Sequence, residues 1–421
     1  GPMDDNNQNQ EFSFIKEKIK NKPINKRRMF LRMLWVILCG ALFGLTACLV
    51  FVVLKPRLEG WMKPGPGTVT LPKDDEPEPE PEPDADSAPV YVERDMEPSD
   101  YQVLLNKLYA IGKKANRSVV TVTGVTSSMD WFDSAYEKEN QASGIIIANN
   151  GQELLILTEK KVIANAEAIH ITFINDDVVP AALKKYDGNT GIAIISVALS
   201  NISEETMGKI DVITLGKSLT VNQGTVVIAI GSPLGANYSI LSGTVTSSGN
   251  TVSTWDSTYK IFTTDIVGSV NGSGALINLQ GEVVAIVMQD YSSEGDQNTI
   301  TAFSISQLKS VIEALSNGKD IPYLGMKVST VTAEIHEKYE LPKGAYIKSV
   351  ETDLPSPAMS AGIQEGDVIV AVDGEEIVTA DGYTQKLLAM SPGQQVKIKV
   401  MRQSGETYVA LEFVVTVGVL P

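Results

Sequence analysis

The chain has 421 residues, enough for roughly three domains, and carries 35 Lys and Arg against 51 Asp and Glu, a formal net charge of −16. That balance argues against a nucleic-acid groove, which needs a basic surface. Two cysteines cannot build a zinc ribbon or a disulfide framework, and two histidines leave few candidates for a general base, metal ligand or pH switch.

Gly1-Pro2 before Met3 reads as the scar of a cleaved tag. Residues 1–32 are polar and basic, with Lys16, Lys18, Lys20, Lys22, Lys26, Arg27, Arg28 and Arg32. Residues 33–54, MLWVILCGALFGLTACLVFVVL, contain no charge. As a helix they span roughly 30 Å, the thickness of a bilayer core. The run continues past the length of a signal-peptide core, so an uncleaved anchor is expected. The cationic flank on its N-terminal side predicts a cytoplasmic N-terminus and an extracytoplasmic remainder. Both cysteines, Cys39 and Cys48, fall in this helix, and Gly40 and Gly44 have the GxxxG spacing of close helix pairs.

Residues 55–99 read as a linker. Positions 74–86, DDEPEPEPEPDAD, hold eight carboxylates and no basic side chain. Like charges repel and proline holds the backbone extended, which predicts a disordered, solvated spacer reaching up to roughly 100 Å. The stretch lacks the glycine turn and spaced ligands of a calcium loop.

From about residue 100 the pattern is globular. A helix is expected over 101–114, with Val103, Leu104, Leu108 and Ile111 on one side. Many short β-rich runs follow, among them 118–125, 144–148, 154–157, 169–174, 191–197, 224–231, 242–248 and 281–287. Short strands with turn residues between them predict a β-barrel or sandwich. A helix over 306–315 closes this region, and a smaller unit begins at about 320.

The order of motifs resembles the HtrA (high-temperature-requirement) family. It is carried by Ser118-Val-Val, Ala142-Ser-Gly-Ile-Ile-Ile, the run 222–235 (NQGTVVIAIGSPLG), Ser242-Gly-Thr-Val-Thr, Thr264-Asp265 and the run 274–286 (GALINLQGEVVAI). The resemblance implies a mainly β chain: a trypsin-like double β-barrel over 100–319, then a PDZ domain over 320–421. It also implies a homo-oligomer, a trimer through the peptidase-like domain.

At the catalytic positions the chain departs from the family. Lys161 stands in Thr158-Glu-Lys-Lys161-Val-Ile where the family has histidine, and Gly191 where it has aspartate. The nucleophile segment reads Val270-Asn-Gly272-Ser-Gly-Ala-Leu, so Gly272 occupies the serine position. A serine nucleophile needs a base and an orienting acid. The expectation is therefore a non-enzyme, a pseudoprotease that binds protein or peptide ligands as scaffold, sensor or holdase. One alternative is a divergent serine endopeptidase using Ser273 with Lys161 as base. That lysine would need its pKa lowered from about 10.4 to near 7, costing roughly 4–5 kcal/mol. Val270 replaces the family's oxyanion-turn glycine, and Ser269 is a weaker candidate nucleophile. Another alternative is a structural oligomerising partner of an active protease. His170, on an alternating strand, and His336, in the C-terminal unit, read as surface residues, and no metal or cofactor is expected.

The C-terminal unit resembles a PDZ domain in Tyr323-Leu324-Gly325-Met326, like the family's carboxylate-binding loop, and in the run 356–374 with its turn glycines. The resemblance implies capture of protein or peptide C-termini on Tyr323, Leu324, Gly325, Met326 and the strand through Val328. A helix over 381–390 would flank the groove, with Leu387 and Leu388 either lining it or lying in the core.

Overall fold

The structure is a computed structural model that describes residues 25–62, 65–74, 95–126, 140–296 and 298–421. The basic segment up to residue 24 and the acidic stretch 75–94 lie outside the described residues. The chain divides into two units, Gly1–Gly65 and Pro66–Pro421.

Helix α1, Lys26–Met62, makes up the first unit. Among the described residues it is the one helix long and apolar enough to cross a membrane. It outruns the apolar stretch at both ends and carries Pro56 within its last turns.

The second unit begins with an arm that composition alone assigned to the spacer. Val69 is buried, and its N–H and C=O are held by the side chain of Asn317, at 2.8 and 2.9 Å. The Leu71 N–H donates to Glu313. Asp74 pairs with Lys309 and accepts from the Ser306 hydroxyl. Ser306, Lys309 and Glu313 lie on helix α3, Ile305–Ser316, and Asn317 caps its C-terminal end. The expectation of a spacer from 55 to 99 thus fails over 66–74, because a carboxylate read as one of a repelling series has a buried lysine as partner. Asp74 and Lys309 side chains are 5% and 4% exposed. Breaking such a pair costs about 3–5 kcal/mol in a rigid core. Here the arm can peel away and let water reach Lys309, so Asp74→Ala is expected to cost about 2 kcal/mol, read by urea denaturation. An unchanged midpoint would show that the arm adds nothing to stability.

Helix α2, Pro98–Ala115, is closed at its start by reciprocal bonds between Glu97 and Asp100, with Pro98 at the first position. Twelve strands then build two closed six-stranded barrels. The first has order β1-β2-β3-β6-β5-β4, from Val119–Val125, Gln141–Asn149, Glu153–Glu159, Ala168–Thr172, Val178–Tyr186 and Ile192–Ala198. The second has order β10-β11-β12-β9-β8-β7, from Val226–Ser232 (β7), Leu241–Thr254 (β8), Ser257–Val267 (β9), Ser273–Ile277 (β10), Val283–Val287 (β11) and Thr299–Ser304 (β12).

The unbroken apolar runs have a simple origin. Along β3, Leu154 and Ile156 fill the first barrel, while Leu155 and Leu157 face a core shared with the second barrel. Along β7, Val227 and Ala229 fill the second barrel, and Ile228 and Ile230 join the shared core. A strand buried on both faces has no polar face to alternate with. Leu308, Ile312 and Leu315 of α3 cover the same shared core.

The C-terminal domain is one antiparallel sheet with order β14-β15-β16-β18-β19, from Met326–Thr330, Ala345–Val350, Val368–Val372, Gln395–Ser404 and Thr407–Thr416. The short strand β17, Glu375–Glu376, pairs with β16. A second small pair joins β13, Pro322–Tyr323, to β20, Gly418–Val419. Helix α4, Ala380–Leu388, lies on the sheet and buries Tyr383 and Leu387 in its core. The architecture is therefore mainly β, a trypsin-like domain followed by a PDZ domain.

Candidate functional site

Lys161 lies on a one-turn helix, Lys160–Ile163, that directly follows β3. Its Nζ is 3.3 Å from Glu159 Oε2 and 3.5 Å from Asp290 Oδ1. Burial pulls the Lys161 ammonium down, but Glu159 and Asp290 outweigh it, and the pKa ends above the usual lysine value. A lysine that serves as general base needs the opposite shift. Burial in turn pushes the Glu159 carboxyl up, against the pull of Lys161. Gly191 lies on the same cleft, beside Thr190, Gln289 and Tyr291. Its φ is +77° and a Cβ there would meet nothing within 4 Å.

The nucleophile segment is built differently. A Cβ on Gly272 would lie 2.5 Å from the Pro233 carbonyl oxygen and 3.0 Å from that of Ser269, so the turn accepts glycine and no larger residue without a backbone shift. Val270 is exposed, and Ser269 bonds back to Pro233 through its N–H. Ser273 is 2% exposed at the start of β10. Its Oγ accepts from the Ser143 N–H at 3.1 Å and shares hydrogen bonds with the hydroxyls of Ser143, at 3.0 Å, and Ser232, at 2.8 Å. Lys161 and Ser273 make no bond with each other. The Ser273–Lys161 dyad is thus not assembled: the serine is locked between the barrels and the lysine is held by carboxylates.

The two histidines stand apart from both. His170 is half-buried on β4, opposite Thr123 and Pro180. His336 Nδ1 lies 2.5 Å from the Leu341 carbonyl, on the short helix Ala333–Tyr339. Among the described residues, no group of His, Cys, Asp and Glu could hold a metal ion.

A carboxylate site does exist, in the C-terminal domain. Between β13 and β14 the chain turns at Gly325, whose φ is +89°. The turn aims successive N–H groups at one point, the backbone geometry that binds anions. Leu324 and Gly325 N–H donate to Asp256 Oδ2 at 2.8 and 3.0 Å, and Met326 N–H donates to Asp256 Oδ1 at 3.0 Å. The Tyr383 hydroxyl on α4 donates to Oδ1 at 2.6 Å. Asp256 belongs to the second barrel: with Trp255 it forms the turn between β8 and β9, where Thr254 pairs with Ser257. Its own N–H donates to the Met326 carbonyl at 2.6 Å, and its carbonyl accepts from Thr384 Oγ1 at 2.6 Å. Burial pushes the Asp256 carboxyl up, and the bonds from Gly325, Tyr383, Leu324 and Met326 pull against it.

The residues named from sequence therefore divide. The backbone of Leu324, Gly325 and Met326 forms the carboxylate contact. The side chains of Met326, Val328 and Leu387 are buried in the domain core. Leu388 instead packs against the core shared by the barrels. Tyr323 is buried in β13, and burial, with Asp256 and Glu351 nearby, pushes its hydroxyl to about 12. Asp256 was not singled out. Its local signal, a polar residue in a two-residue hairpin turn with φ +64°, is what any tight turn shows.

The two folds and this loop define a trypsin-like peptidase domain joined to a PDZ domain. Residues 142–286 match the trypsin-like peptidase domain family and residues 322–412 match the PDZ domain family. A probable periplasmic serine endoprotease DegP-like protein of Hahella chejuensis is 31% identical over 290 residues, 68% of this chain and 58% of the relative. A protein of the same name from Pseudomonas fluorescens is 30% identical over 294 residues, 69% of this chain and 58% of the relative. The chain thus spans 58% of the length of these curated relatives. Among solved structures, an HtrA-type protease, AlgW with tripeptide, superposes with a TM-score of 0.53 at 22% identity, covering 74% of this chain and 97% of that one. The chain belongs to the HtrA-like family. The expectation of a non-enzyme is corrected here: the relatives that the chain resembles are named serine endoproteases, which point to a protease rather than a non-enzyme.

Proposed function

We propose that this chain is a membrane-tethered, extracytoplasmic HtrA-like protein that captures polypeptides by their C-terminal carboxylate. The convergence of the Leu324, Gly325 and Met326 N–H groups on a carboxylate carries this reading. A C-terminus presents the same two oxygens, and the adjoining strand β14 offers an edge for an added strand. The apolar helix α1 and the periplasmic naming of the relatives support tethering with the N-terminus cytoplasmic and the folded domains outside. Assembly into homo-oligomers goes with the same family resemblance. The test is titration of the full chain with a fluorescein-labelled decapeptide ending in a free apolar residue, and with its C-terminal amide. Binding of the acid and not of the amide is expected; equal binding of both overturns capture by the carboxylate.

The names of the relatives favour a second reading, endoproteolysis of the captured chain. On that reading a fluorophosphonate probe labels the barrel domain and casein is cut. Absence of label and of cleavage would discard this reading and leave capture standing.

A further inference from the structure

The carboxylate site is complete, and its occupant comes from the same chain. Every partner of the Asp256 carboxylate is a donor: three backbone N–H groups of the loop and the Tyr383 hydroxyl. The hairpin tip also takes backbone positions that a bound strand would need. The Asp256 N–H occupies the Met326 carbonyl, and Thr258 Oγ1 lies 3.5 Å from the Val328 carbonyl. The contact extends along the tip: Lys327 Nζ stands 4.6 Å from the centre of the Trp255 ring, and Lys348 Nζ donates to Ser253 Oγ at 2.8 Å. On the other side, Thr384 of α4 holds the Asp256 carbonyl. The tip is thus seated between β14 and α4, with a carboxylate where the loop binds one.

We propose that Asp256 is a built-in occupant of the carboxylate loop, so that a polypeptide C-terminus binds only by displacing the β8–β9 hairpin tip. This rests on the capture reading above and adds its regulation. One set of N–H donors cannot hold two carboxylates, so external and internal ligand exclude each other. The apparent dissociation constant is then the intrinsic one divided by the fraction of chains with the tip withdrawn. Occupancy also ties the second barrel to the C-terminal domain, so ligand binding loosens that junction.

The experiment compares the labelled decapeptide acid and its amide on the full chain, on Asp256→Ala and on Asp256→Asn. Alanine removes both acceptor oxygens, and at least tenfold tighter binding of the acid is expected. Asparagine tolerates the positive φ of the turn and keeps its shape. It sets an NH2 group against the loop donors, so a smaller gain of several-fold is expected, and it covers the case in which the alanine variant does not fold. If the acid binds selectively but with equal affinity to all three, internal occupancy is overturned and capture survives. If no chain distinguishes acid from amide, capture itself fails and the regulation with it.

Discussion

Replacing Gly325 by alanine is expected to cost about 3 kcal/mol of stability and to abolish C-terminal peptide binding. Two independent penalties combine. The φ of +89° puts any L-residue in the left-handed region, worth roughly 1–2 kcal/mol. The new Cβ would also lie 2.6 Å from Ser356 Cβ, and crowding a packed site adds about 1–3 kcal/mol. Ser356 has little freedom to move aside. It is 1% exposed, its hydroxyl donates to the Glu351 carbonyl at 3.0 Å, and the same oxygen accepts the Met359 N–H at 3.2 Å as the cap of a short helix. Gly366 supplies the comparison, since its φ is +90° but a Cβ there meets nothing within 4 Å. Gly366→Ala should cost only the conformational part, about 1 kcal/mol. Equal losses at the two positions in urea denaturation would mean that Ser356 yields, and the loop would then be softer than its contacts imply.

That loop shows where sequence reasoning reaches and where it stops. Its glycine and its neighbours form a local pattern, so a carboxylate-binding turn is legible in four consecutive residues. The barrels are legible for a related reason: the run Leu154-Leu-Ile-Leu157 is apolar on both faces, which only a strand between two cores requires. Helix α3 begins and ends within one residue of its expected span. The occupant of the loop is different in kind. Asp256 stands 68 positions before Leu324 in the chain, and nothing local to either says that they meet. Asp74 is the same case, since its meaning depends on Lys309, 235 positions away. Charge patterns report neighbours in sequence, whereas buried ion pairs are made by tertiary contact. At the triad positions the substitutions were legible, but what they do to the reaction class was not. The relatives corrected the inference drawn from them, and the geometry removed the lysine–serine pairing offered as its alternative.

Phe303→Ala is expected to destabilise the second unit by about 4 kcal/mol, the larger of the two effects argued here. Phe303 is fully buried on β12, in the core shared by both barrels and α3. Its ring stacks on Tyr259 at 5.3 Å and lies tilted against Tyr291 at 4.7 Å. Truncation forfeits the transfer energy of the ring, leaves a cavity and removes aromatic contacts worth roughly 0.5–1.5 kcal/mol each. Two closed barrels meet at this point, so neither wall can move inward without distorting its own ladder. The gap should therefore stay open, which places the cost in the upper part of the usual range. The consequence reaches the carboxylate loop. Tyr259 pairs with Val252 across β8 and β9, two pairs back from Thr254–Ser257 at the tip that carries Asp256. A hairpin that has lost its stacking partner holds its tip less firmly, so the truncated chain should bind the decapeptide acid more tightly than wild type while melting at lower temperature. Phe303→Leu keeps most of the volume and should recover most of the stability and the wild-type affinity. A loss below about 1 kcal/mol for the alanine variant would show that the shared core closes around the gap. Unchanged peptide affinity at a lowered melting temperature would separate the core from the hairpin tip, and the stack would then serve stability alone.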